Sequence, residues 1–106
     1  MKNSITADLR TEQIDSVCNY LDEVLRRDFS HLRSGSVEYY TEKLLMATLN
    51  ELRVRLRTKQ LGLIREKNKV KIPTKEALAL TAVYLRDSAQ PKLYVLKIVE
   101  PVMRLI

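Results

Sequence analysis

The sequence predicts an all-α fold, a small bundle of about four helices forming one domain over residues 1–106, on three observations. Apolar side chains recur at steps of three and four in most of the chain. Two glycines, three prolines and no tryptophan argue against a turn-rich sandwich. A chain of 106 residues, 45% hydrophobic and 30% charged, has the composition of one globular domain with one core.

Residues 1–10 show no firm period and read as a loose N-terminal arm, or as an extra helical turn starting near Thr6 or Asp8. From Thr11, a suitable N-cap with Glu12 next to it, a helix is expected to about Asp28. Its apolar face is Ile14, Val17, Cys18, Leu21, Val24 and Leu25, and Asp22–Arg26 and Glu23–Arg27 are acid-first pairs four apart. Ser34-Gly35-Ser36 reads as a turn, with Ser36 capping the second helix.

That second helix, about 37–61, is the strongest expectation. Val37, Tyr40, Thr41, Leu44, Leu45, Thr48, Leu49, Leu52 and Leu56 form one stripe, and Gly62 sits where a C-terminal cap belongs. At 1.5 Å per residue its length is roughly 38 Å.

Lys69-Val70-Lys71-Ile72 alternates like a strand, and a short β-hairpin over 63–72, with Leu63-Ile64-Arg65 as the other arm, competes with a plain basic connector. Pro73 disfavours helix before it, and Thr74 opens a third, mostly buried helix, about 75–86. Leu93, Leu96, Val99 and Met103 fit a helical face, kinked by Pro101, although Tyr94–Val99 is rich in strand formers.

The chemistry on offer is sparse. His31 is the single histidine, so no second imidazole can share a metal or relay a proton. Glu38 and Glu42 share a helix face without histidine partners. Cys18, the lone cysteine, forms no internal disulfide and falls on an apolar face with no activating base. Nucleotide-loop and serine-elbow motifs are missing. His31–Ser36 precedes a helix N-terminus and is the nearest approach to an anion cradle, but a turn and cap explain the same residues. No enzyme activity, cofactor or metal is expected. Apolar runs reach about four residues against the ~20 of a membrane span. The start lacks a signal peptide's apolar core, so a cytoplasmic protein without membrane association is expected.

Two binding readings remain. The length of the second helix suggests a homodimer, a self-associating protein-interaction module, with Leu45, Leu49, Leu52 and Leu56 at the interface. The alternative uses charge. Arg53, Arg55, Arg57, Lys59, Arg65, Lys67, Lys69, Lys71 and Lys75 face only Glu66 within that stretch, making it +8, while the rest of the chain sums to −2. Such a patch suits an acidic protein or the phosphates of a nucleic acid, bound without sequence preference. It equally suits solvation alone.

Overall fold

A computed structural model of the chain describes residues 3–27, 32–61, 67–87 and 93–105. The elements run β1 (Ser4–Arg10), α1 (Thr11–Leu25), α2 (Val37–Leu61), β2 (Lys67–Pro73), α3 (Thr74–Asp87) and α4 (Leu93–Leu105). The expected bundle of four helices is present, with the long helix at 37–61.

An antiparallel strand pair is present too, but its second member differs from expectation. β2 pairs with β1, Ile5 opposite Ile72, Ala7 opposite Val70 and Asp8 opposite Lys69. Residues 63–66, the expected second arm, lie outside the described residues. Residues 4–10 are therefore a paired strand, neither a loose arm nor a helical turn. The physical reason is burial on one face: Ile5, Ala7 and Leu9 are buried with Val70 and Ile72, while Thr6, Asp8, Arg10, Lys69 and Lys71 face solvent.

α1 starts at Thr11, but the capping contact is a residue earlier: the Arg10 N–H donates to Gln13 Oε1 at 2.9 Å. Ile14, Val17, Cys18, Leu21 and Val24 are buried as the period requires. Ser36 caps α2 as expected, its Oγ accepting from the Tyr39 N–H at 3.1 Å. Gly35, at φ 87°, supplies the left-handed residue that the preceding turn needs. The expected cap at Gly62 lies outside the described residues. α3 buries Ala77, Leu80, Thr81 and Val83, and the Thr81 hydroxyl is satisfied by the Ala77 carbonyl at 2.7 Å. The last segment is helical and continues through Pro101, burying Val95, Ile98, Val99 and Val102.

All these side chains meet in one core to which both strands and all four helices contribute. α4 and α1 pack on β1, and α2 lies between α1 and α3. Ion pairs set the helix directions. Asp15 pairs with Arg57 and Asp22 with Arg53, so α1 and α2 are antiparallel. Lys75 pairs with Glu51 and Arg86 with Glu42, so α2 and α3 are antiparallel as well. The radius of gyration is 14.0 Å and the longest extent 45 Å.

Candidate functional site

The α2 part of the basic stretch is divided between two faces, Arg53 and Arg57 meeting α1 and Arg55 meeting α3. Arg53 and Arg57, four apart, both turn toward α1. Arg53 Nε donates to Asp22 Oδ1. Arg57 donates to Asp15 Oδ1 at 2.8 Å, to Asn19 Oδ1 at 3.3 Å and to Asp22 Oδ2 at 3.2 Å. Asp22 is therefore tied to α2, and not to Arg26 as local spacing suggests. The Arg53 hydrogen bond, aided by Arg57, holds the Asp22 carboxyl below the ordinary aspartate range, against the opposing effect of its partial burial.

Arg55 points the other way, toward α3. It meets Glu76 through two parallel hydrogen bonds of 3.1 Å. The Glu76 side chain is fully buried and Arg55 is 47% exposed, so the guanidinium closes a buried carboxylate off from water. Lys75 pairs with Glu51 at 3.2 Å. Four of the nine candidate cations thus take part in ion pairs between α2 and its neighbours. Lys59, Lys69 and Lys71 are exposed. Arg65 and the side chain of Lys67 lie outside the described residues.

The expected interface leucines are corrected as well. Leu49, Leu52 and Leu56 have no exposure in a single chain, and Leu45 is partly buried against the same core. They fall within an arc of about 60° at ~100° per residue, on a helix that packs against α1 and α3. The exposed apolar residues of α2 lie elsewhere: Val37 is 78% exposed, Tyr40 62%, Leu44 69% and Val54 51%. With exposed Ala47 they step by three, four, three and seven, and Glu51 and Thr58 fill the remaining places of a heptad a/d series. This second seam spans an arc of about 100°, centred roughly 140° away from the buried one. The single stripe read from sequence is two stripes on two faces.

Other candidates resolve locally. Ser36 Oγ donates to the Arg33 carbonyl at 2.7 Å while accepting the Tyr39 N–H, so the Ser36 hydroxyl is committed to the turn. His31 lies outside the described residues. Glu42 is engaged by Arg86. Tyr39 and Tyr40 meet edge to face at 5.5 Å, and Lys43 lies over the Tyr39 ring at 5.4 Å. Cys18 is fully buried, and burial pushes its thiol up from the ordinary cysteine value. Among the described residues no three His, Cys, Asp or Glu side chains converge to hold a metal ion, and no helix is long and apolar enough to cross a membrane. Comparison with known proteins finds no family, no curated protein and no solved structure that matches the chain.

Proposed function

We propose that the protein acts by binding, with no catalysis of its own, as an interaction module that pairs with a second copy of itself through the outer seam of α2. The observation that carries this reading is the heptad series Val37, Tyr40, Leu44, Ala47, Glu51, Val54, with four of its large apolar side chains more than half exposed. A soluble helix normally turns such a series toward a partner.

The seam is self-complementary when two copies cross antiparallel about a two-fold axis between residues 45 and 46. Val37 then lies opposite Val54 of the second copy. Leu44 lies opposite Ala47, large against small. Tyr40 lies opposite Glu51, a phenol donor against the seam's one carboxylate. A two-fold axis makes each contact twice, so one well-matched seam suffices. Size limits the strength. A few hundred Å² of apolar seam per copy falls below the ~800 Å² per partner of a standard stable interface. The expected dimer is weak, with dissociation in the range of about ten to several hundred micromolar.

Sedimentation equilibrium from about 5 to 500 µM tests this. Wild type is expected to shift from monomer toward dimer, Leu44→Glu to remain monomeric with an unchanged circular dichroism spectrum, and Glu51→Leu to dimerise more tightly. A wild-type chain that stays monomeric throughout, or a Leu44→Glu variant that dimerises like wild type, refutes the reading. The nucleic-acid alternative draws on Lys59, Lys69 and Lys71, exposed and without an ion pair among the described residues, and on Arg55 and Lys75, which are exposed but each paired with a carboxylate.

A further inference from the structure

The outer edge of β2 is a feature separate from the α2 seam. The sheet has two strands, so β2 is hydrogen-bonded to β1 on one side and to no strand on the other among the described residues. α4 and α1 contact the sheet through β1, and α3, joined directly to the end of β2, contacts both strands. Among the described residues the outer main-chain donors and acceptors over residues 67–72 therefore meet no further strand, and the edge ends at Pro73, which has no N–H to give.

The side chains along that edge sort by pleat. Val70 and Ile72 turn inward and are fully buried, and Lys69 and Lys71 turn outward and are exposed. Lys67 stands opposite Arg10 in the register. Within β2 no carboxylate offsets these lysines. Their one acidic cross-strand neighbour is Asp8, in register with Lys69, and no ion pair joins the two. Like charges placed directly opposite each other destabilise a ladder, so a second β2 is a poor occupant of this edge. The same lysines favour a strand that places carboxylates beside them.

We infer that the free edge of β2 accepts an extended acidic segment of another protein, added as a third strand. Its carboxylate side chains, at alternate positions, lie on the outer face beside Lys69 and Lys71, and its short apolar side chains turn inward beside Val70 and Ile72. Main-chain hydrogen bonds supply affinity and the alternating charge supplies selectivity. No covalent step is involved.

The test uses the full chain and three labelled hexapeptides, monitored by fluorescence anisotropy at low salt. One alternates Glu and Val, one alternates Lys and Val, and one has the composition of the first arranged as a Glu block and then a Val block. The Glu–Val peptide is expected to bind most tightly and to slow amide hydrogen exchange over residues 67–72. Lys69→Glu/Lys71→Glu is expected to invert the preference toward the Lys–Val peptide, by roughly tenfold from a few cross-strand pairs. Methylating alternate amides of the Glu–Val peptide, which leaves the protein untouched, is expected to abolish binding when the methylated set faces β2. Equal binding of the block peptide reduces the surface to unspecific charge and overturns the inference. So does binding that leaves exchange over 67–72 unchanged, or a short single-stranded DNA that binds more tightly than the Glu–Val peptide.

Discussion

Truncating Leu52 to alanine separates core from interface on α2. Leu52 has no exposure in one chain and sits among Leu49, Leu56 and the apolar faces of the neighbouring helices. Removing its isopropyl group loses the transfer free energy of three carbons and leaves a cavity that close-packed neighbours fill only in part. Such changes cost 2–5 kcal/mol, and about 3 kcal/mol is expected for this site. Against a total of about 5–15 kcal/mol for a domain, that lowers the melting temperature by roughly 10–20 °C. Leu44→Ala, at 69% exposure, is expected to change monomer stability by no more than about 0.5 kcal/mol. Urea denaturation monitored by circular dichroism, at about 2 µM and again at about 100 µM, distinguishes the two roles. The Leu52→Ala loss is expected to appear in full at the lower concentration, because it belongs to the single chain. A Leu52→Ala loss present only at the higher concentration, or a Leu44→Ala loss of similar size in the dilute sample, refutes the assignment.

The ion pairs and the thiol give three further expected outcomes. Arg55→Ala strands the buried Glu76 carboxylate and is expected to cost about 2 kcal/mol; the joint replacement Arg55→Met/Glu76→Leu, which removes both charges, is expected to cost less in the same urea titration. Asp22 has a folded-state pKa below its unfolded value, so its contribution is present above the ordinary aspartate range and is lost as pH falls through the folded value. Asp22→Asn is therefore expected to be less stable than wild type by about 1 kcal/mol at pH 7 and to converge with it in acid, which a pH series of denaturation midpoints checks. Cys18 is expected to react with a disulfide reagent only when the fold opens, at least ~1,000-fold more slowly in buffer than in denaturant. Fast stoichiometric labelling of the native chain contradicts its burial.

The legible part of the sequence was local. The buried face of α1, the Ser36 cap, the Thr74 start of α3 and the extent of α2 all derive from periods and caps spanning a few residues. β1 carried a period of two in Ile5, Ala7 and Leu9, yet Ala7 and Asp8 are poor strand formers, and the partner that justifies the strand lies more than sixty residues on. The sequence shows nine cations between 53 and 75, but a count carries no direction. Arg53 and Arg57 point at Asp15 and Asp22, which lie seven apart on one side of α1, and this match is invisible until the two helices are set antiparallel. The interface leucines were misplaced for a simpler reason. Steps of three and four admit both faces of α2, and sorting the same residues by angle separates Val37, Tyr40 and Leu44 from Leu45, Leu49, Leu52 and Leu56.

The pairing of residue 5 with residue 72 makes the amino-terminal strand a clasp closed across two thirds of the chain. Such a long closure forms late relative to helices, whose contacts are short in sequence. Until it closes, or if the first ten residues are trimmed, Val70 and Ile72 lose the side chains of β1 from the core they share, and among the described residues no strand is left beside β2. The register of β1 on β2 contains nothing that requires both strands to come from one molecule. Loss of the native clasp therefore invites strand exchange between copies, and a bulky amino-terminal fusion without a spacer is expected to convert an orderly domain into swapped oligomers.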